Sequence, residues 1–141
     1  DGIGATVYGI LVGQRYSNAA RVHSGKPPDD ANVSKAELED LGIREEQFDV
    51  SRSLFWWMVR QRFKHSYQLW TTGACDGPHI ELEPNPAVET QIGAIKWEQK
   101  GGKICVEKKA ITKKRLNGKS PDEADAVMYA FVPGKRRSFF L

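Results

Sequence analysis

Two aspartates at the start of one motif are the residues best suited to chemistry. The stretch from 120 to 127 reads Ser-Pro-Asp-Glu-Ala-Asp-Ala-Val, so Asp122 and Asp125 lie three residues apart. The Ser-Pro pair is typical of a helix start, and Glu123 completes a capping box with Ser120. The motif therefore predicts a helix whose first turn presents both carboxylates close together and away from its apolar stripe.

These two aspartates have two interpretations. Acidic side chains in a first turn stabilise a helix through its dipole, by about 0.3–1 kcal/mol each. Alternatively, carboxylates held at a helix start could ligate a divalent metal ion in a cleft, because hard cations prefer oxygen ligands. The motif by itself favours the dipole interpretation, and the neighbouring sequence shifts the balance toward the metal.

A dense basic run precedes the motif, from 108 to 119. Its basic residues are Lys108, Lys109, Lys113, Lys114, Arg115 and Lys119. Such a run directly before an acidic helix start suits contacts with DNA phosphates beside a metal site, and a solvated surface is the alternative. Gly118-Lys119-Ser120 resembles the end of a P-loop, but Lys113 stands where that motif needs glycine, so we exclude nucleotide binding there.

The chain opens with Asp1-Gly2-Ile3-Gly4, whose paired glycines suit a tight turn before a helix that starts near Ala5. Asp1 would lie at the mouth of this turn. A turn or N-cap role is the simpler interpretation of Asp1, and a metal-ligand role depends on what surrounds it in the fold.

Periodicity and turn signals predict the elements that position these residues. The expected helices cover residues 34–42, 50–64, 87–94 and 120–131, and a hairpin turns at Gly101-Gly102 between 95–98 and 103–107. We expect largely buried side chains at Trp57, Met58, Val127, Met128 and Phe131. Helix 50–64, capped by Asp49, should be central to the core and carry Arg52, Arg60 and Arg62 on its polar side.

Length and composition fit one domain over residues 1–141. The chain is 40% hydrophobic and 28% charged with a net charge of +3, which is ordinary for a soluble globular protein. Nothing approaches the ~20 apolar residues of a membrane span. Cys75 and Cys105 have no metal-ligand spacing, so we expect free thiols. The segment of about 25–47 has no long apolar face and is predicted to be an inserted arm of loop and helix.

Taken together, the motifs resemble the C-terminal nuclease domain of phage terminase large subunits. The shared order is an Asp-Gly-x-Gly turn, an aromatic helix with arginines, a glycine-containing hairpin and a basic run. It ends in Gly-Lys-Ser-Pro-Asp-x-Ala-Asp-Ala at 118–126, which is the most specific part. The resemblance covers most of the chain except the predicted arm at about 25–47.

This resemblance implies an α/β chain with an RNase H-like fold, in which helices flank a mixed sheet whose first strands are missing here. It also implies a hydrolase, a metal-dependent endonuclease that cuts double-stranded DNA during phage genome packaging. Family members hold two Mg²⁺ or Mn²⁺ ions with three acids. Asp122 matches the last of these, and Asp125 is a neighbour that assists.

The chain departs from the family pattern at its beginning. The family's middle acid usually stands three residues before the first glycine, whereas Asp1 directly precedes Gly2. Asp1 is therefore a stand-in, and the true ligand is expected upstream. The first acid lies on a strand that this sequence lacks. We therefore expect the chain alone to be weak or inactive.

The resemblance implies further partners: double-stranded DNA, an ATPase domain in the same full-length chain, the terminase small subunit and the portal. The implied location is the host cytoplasm, without a membrane. Three alternatives stay open. They are a non-catalytic DNA-binding or docking fragment of the packaging machinery, another RNase H-like nuclease such as a junction resolvase, and a structural fragment of an assembly protein. An upstream strand that carries an aspartate would favour the terminase interpretation.

Overall fold

A computed structural model of the chain describes residues 23–31 and 33–132. The α-helices of this part are α1 (Lys35–Asp40), α2 (Ser51–Thr72), α3 (Pro86–Ala94), α4 (Lys109–Arg115) and α5 (Asp122–Ala130). The strands are β1 (Trp97–Lys100) and β2 (Lys103–Val106), and short 3₁₀ turns cover Pro28–Ala31 and Glu45–Gln47. The predicted Asp1–Gly4 turn and the helix after it lie outside the described residues.

Helix α2 is the longest element and the centre of the core. Its first half is buried, with Leu54, Phe55 and Met58 almost inaccessible to solvent. The predicted helix over 50–64 is confirmed but continues to Thr72, because no helix breaker occurs before Gly73. Gly73 has a φ of 74°, in the left-handed region that favours glycine, and its N–H donates to the Leu69 carbonyl to end the helix.

The start of α2 is fastened by neighbouring segments rather than by an aspartate cap. Val50 occupies the N-cap without a side-chain cap, and the Asp49 carboxylate accepts the N–H of Val50 at 2.8 Å. The backbone N–H groups of Ser51 and Arg52 donate to carbonyls of the 24–26 segment, at 2.8 Å each. These bonds satisfy donors that an isolated helix would leave open.

Two small serines tie α2 to the rest of the fold. The buried Ser51 hydroxyl lies 3.0 Å from the Lys26 carbonyl and 2.8 Å from the Pro27 carbonyl. The buried Ser53 hydroxyl accepts the Val106 N–H at 2.9 Å, which holds β2 against the helix. The first turns of α2 therefore join the 24–27 segment and the hairpin in one body.

The predicted hairpin is confirmed, with Trp97 opposite Val106 and Lys100 opposite Lys103. Gly101 and Gly102 have φ values of 58° and 78°, which a two-residue hairpin turn of type I′ requires. Phe48 adds one parallel bridge to Ile104. Helices and an antiparallel pair thus form an α/β arrangement, and the described residues contain no larger mixed sheet.

The segment expected to be a surface arm packs into the core. Leu38, Leu41 and Ile43 are buried and belong to the same apolar cluster as α2. Ser34 caps α1 as predicted, accepting the Glu37 N–H at 3.2 Å, while the Glu37 side chain pairs with Arg62 of α2. Three apolar residues at short spacing are enough to anchor the segment without a long apolar face.

Burial follows the predicted periodicity in part. Met58 and Met128 are buried as expected, whereas Trp57, Val127 and Phe131 are half-buried. Trp57 and Phe131 pack against the same core. Trp56 is the more deeply buried tryptophan of its pair. Among the described residues, none of the helices has the length and apolarity to cross a membrane.

Candidate functional site

An open cleft of about 630 Å³ lies where the starts of α2, α4 and α5 meet. Its lining residues are Ser24, Arg52, Lys108, Lys109, Asp122, Asp125, Ala126 and Tyr129. The structure thus brings together both aspartates of the 120–127 motif and the first two lysines of the basic run. Asp1, the third acid of the sequence prediction, lies outside the described residues.

The start of α5 is capped by another helix, so the predicted capping box does not form. The Ser120 hydroxyl donates to the Asp122 carboxylate at 2.7 Å instead of accepting a backbone N–H. Gln91 of α3 takes the capping role, because its side-chain oxygen accepts the Ala124 N–H at 3.1 Å and its amide contacts Glu123. Packing between α3 and α5 therefore replaces the local bonds that the motif predicted.

The two aspartates have different environments but share one partner. The Asp122 side chain is 70% exposed, whereas that of Asp125 is 12% exposed. The Lys109 ammonium lies 2.7 Å from Asp122 Oδ1 and 2.7 Å from Asp125 Oδ2. Asp125 is therefore the embedded member of the pair, and Lys109 joins α4 to the first turn of α5.

Arg52 faces the buried aspartate from the other side. Its Nη1 donates to the Glu107 carbonyl at 2.6 Å, and its Nη2 lies 3.8 Å from Asp125 Oδ1. Both atoms are buried, and neither Nη2 nor Oδ1 has a hydrogen-bond partner among the described residues. Arg52, predicted on the polar side of the helix, forms part of the cleft wall.

The charges of the cluster are mutually stabilised. Hydrogen bonds from Lys109 and Ser120 hold the pKa of the Asp122 carboxyl below its ordinary value. Burial acts to lower the pKa of Lys109, but the hydrogen bonds to Asp122 and Asp125 outweigh it and raise that pKa. Two carboxylates therefore face two cations, Lys109 and Arg52, and the cluster is balanced in charge at neutral pH.

The basic run divides into internal and exposed members. Arg115 pairs with Glu107 through both nitrogens of its fork, with Nη2 at 2.9 Å from Oε2, and also contacts the Ala94 carbonyl. Arg115 and Lys109 are thus committed to contacts within the fold. The other four, Lys108, Lys113, Lys114 and Lys119, are exposed and form no ion pair with a described residue.

Glu107 holds the basic helix in place, a role that the sequence did not indicate. Its Oε1 accepts the Thr112 hydroxyl at 2.8 Å and the Lys96 N–H at 3.1 Å. The Arg115 contact, with these two bonds, outweighs burial and lowers the pKa of Glu107 to about 2. This one carboxylate therefore connects the hairpin with the middle and the C-terminal end of α4.

The described residues include no group of three or more His, Cys, Asp or Glu side chains arranged to hold a metal ion. Asp122 and Asp125 are a pair rather than a triad. Comparison of the chain with family models, with curated proteins and with solved structures finds no match. The resemblance to terminase nucleases therefore depends on the motifs themselves.

Proposed function

We propose that this chain is a nuclease-type DNA-binding domain in which Asp122 and Asp125 ligate a divalent metal ion for phosphodiester hydrolysis. The observation that carries the proposal is the convergence of both carboxylates on one cleft that is also lined by Lys108, Lys109 and Arg52. The terminase-like motif at 118–126 supplies the reaction class and the RNase H-like fold expected for the complete domain.

The donor chemistry fits Mg²⁺ or Mn²⁺. Both side chains offer hard carboxylate oxygens, and Mg²⁺ is commonly held by one or two carboxylates together with substrate phosphates. Asp125 Oδ1 is a buried oxygen on the cleft wall, and no residue in the described part of the chain donates a hydrogen bond to it. The ions, two in the family that the motifs resemble, would supply Lewis-acid stabilisation of the phosphodiester and an activated water.

Lys109 competes for the same oxygens. Its ammonium contacts both carboxylates at 2.7 Å, so metal ligation by the pair requires this side chain to move away. The Lys109 side chain is partly exposed, so rotation of its ammonium toward solvent would free the two carboxylates. The released ammonium would then be free to contact a DNA phosphate.

Duplex DNA is the proposed substrate, and the exposed lysines are its proposed contacts. Lys108, Lys113, Lys114 and Lys119 would bind the phosphate backbone, which gives affinity with little sequence preference. An ATPase domain, the terminase small subunit and the portal are the further partners proposed from the motif, and the host cytoplasm is the proposed location.

The test combines metal binding, DNA nicking and stability. We expect Asp122→Asn and Asp125→Asn each to weaken Mn²⁺ binding at least tenfold by calorimetry, and to reduce any Mn²⁺-dependent plasmid nicking. A dipole role for Asp122 predicts only a loss of about 0.3–1 kcal/mol in stability. Asp40→Asn, an exposed acid at the end of α1, is the matched control. Undiminished Mn²⁺ binding by both cleft variants would refute the metal site.

A DNA-binding module without catalysis is the second candidate. The balanced charge of the Asp122–Asp125–Lys109–Arg52 cluster favours it, because such a cluster holds its carboxylates without a metal ion. This candidate predicts duplex binding with no Mn²⁺ binding at millimolar concentration. A junction resolvase would instead prefer a four-way junction to plain duplex, so the two DNA substrates should be compared in the same assay.

A further inference from the structure

Large exposed aromatic side chains cluster along one side of helix α2, away from the cleft. Trp70 is 82% exposed, Tyr67 is 65% exposed, and Trp97 of strand β1 is 50% exposed. Single exposed apolar residues are common on protein surfaces, but a continuous group of them marks an interaction site.

The rings form two pairs. Trp97 packs edge-on against Trp57, with ring centroids 4.9 Å apart and an interplanar angle of 86°. The Arg60 guanidinium lies 4.5 Å from the centroid of the Trp57 ring. Further along the helix, the Tyr67 and Trp70 rings lie 6.1 Å apart. Two aromatic pairs therefore stand at the two ends of this surface, with basic residues between them.

Helical spacing makes the surface continuous. Trp57, Arg60, Lys64 and Tyr67 follow one another at intervals of three or four residues, so they share one side of α2. A rise of about 1.5 Å per residue separates Trp57 from Trp70 by about 20 Å along the axis. We name this surface the aromatic ridge: Trp57, Arg60, Lys64, Tyr67, Trp70 and Trp97.

The ridge carries positive charge that can contact a ligand. Arg60 and Lys64 are exposed, and neither forms an ion pair with another described residue. Stacked aromatic rings with interleaved cations are the combination that binds single strands, since bases stack on the rings while phosphates follow the cations. An acidic apolar peptide would use the cations but gain less from the flat faces of Tyr67 and Trp70.

We propose that the aromatic ridge binds single-stranded nucleic acid. Exposed ring faces offer stacking to any base, so the binding has little sequence preference. The ridge is independent of the carboxylate cleft, because none of its residues lines the cleft. It would therefore persist even if the chain had no nuclease activity.

The test uses a fluorescently labelled oligothymidylate, which has no partner strand and cannot form a duplex. We expect Trp70→Ala and Tyr67→Ala each to weaken binding about tenfold, the loss of one stacked base. Both side chains are exposed, so the substitutions should preserve the fold. Ile111→Ala removes an exposed apolar side chain from α4 and should leave binding unchanged.

The cationic part is tested separately by salt dependence. Lys64→Gln should reduce the slope of log affinity against log salt by about 0.7, the value for one phosphate contact on a single strand. The metal site is tested by Mn²⁺ binding and the ridge by oligothymidylate binding, so failure of the one and failure of the other are distinguishable. Absent binding, or binding unaffected by Trp70→Ala, would overturn the proposal. So would a Trp70-dependent dimer in sedimentation without oligonucleotide binding.

Discussion

Glu107 should set the acid stability of this fold. The pKa of Glu107 falls from an ordinary value of 4.5 to about 2 in the folded chain. Each pKa unit corresponds to about 1.4 kcal/mol, so the ionised carboxylate contributes about 3 kcal/mol as an upper value. The side chain is only 11% exposed, but its partner Arg115 is more accessible and solvent screens part of that energy, so we expect about 2–3 kcal/mol.

The direction of the pH dependence follows from the lower pKa in the folded state. The stabilisation is fully present above about pH 4.5, where the unfolded carboxyl is also ionised, and it is lost as pH falls toward 2. Glu107→Gln keeps the size and an acceptor for Thr112 and Lys96 but removes the charge opposite Arg115. At pH 7 this variant should therefore lose about 2–3 kcal/mol, or roughly 10 °C in melting temperature.

Thermal and urea unfolding at pH 7, 4 and 2.5 measure this effect. The difference between the wild-type chain and Glu107→Gln should shrink steadily between pH 4 and pH 2.5. Glu83→Gln changes an exposed carboxylate and should match the wild type throughout. A difference that stays constant across this range would refute the reasoning, because it would come from packing rather than from ionisation of Glu107.

Two further predictions concern the cleft and the basic helix. Lys109→Met should strengthen Mn²⁺ binding about tenfold or more by calorimetry, because it removes the ammonium that contacts Asp122 and Asp125. Lys113→Met is the control and should leave the Mn²⁺ affinity unchanged. Equal affinities of the two variants would contradict competition by Lys109. Replacing Lys113 and Lys114 by Gln should reduce the salt slope of duplex binding by about 1.8, since each phosphate contact contributes about 0.9. An unchanged salt slope in this double variant would show that Lys113 and Lys114 are merely solvated. Arg115→Gln should instead lower the stability of the fold, because Arg115 already pairs with Glu107.

Local signals predicted those elements whose causes are local. The Gly101-Gly102 turn requires two positive φ values, which glycine adopts readily, and the hairpin forms where that pair predicts it. The periodic spacing around Met58 and Met128 likewise placed both side chains in the core. Asn85 and Pro86 begin α3 one residue before the predicted start, with the Asn85 side chain accepting two backbone N–H groups.

The residue types of the candidate site could be read from the sequence, but their contacts with one another could not. The acidic motif and the basic run were visible in the sequence, since residue type and spacing alone indicated them. The sequence could not show that Lys109 would bridge Asp122 and Asp125, or that Arg52 would face Asp125, because these partners meet only after α2, α4 and α5 pack. An ion pair between residues that are distant in the sequence leaves no pattern in the residues around either partner.

The sequence by itself therefore determined four of the five described α-helices, the hairpin turn and the set of residues available for chemistry, because backbone preference and periodicity act over a few neighbouring residues. It did not predict α4 (Lys109–Arg115), which lies within the basic run. Tertiary structure decided how those residues are used. Because α3 packs against α5, the Ala124 N–H is capped by Gln91 rather than by Ser120. Arg115 pairs with Glu107 and is therefore not one of the exposed basic residues. The physical reason is that ion pairs and caps form with whichever charged or polar group the fold brings within about 3 Å.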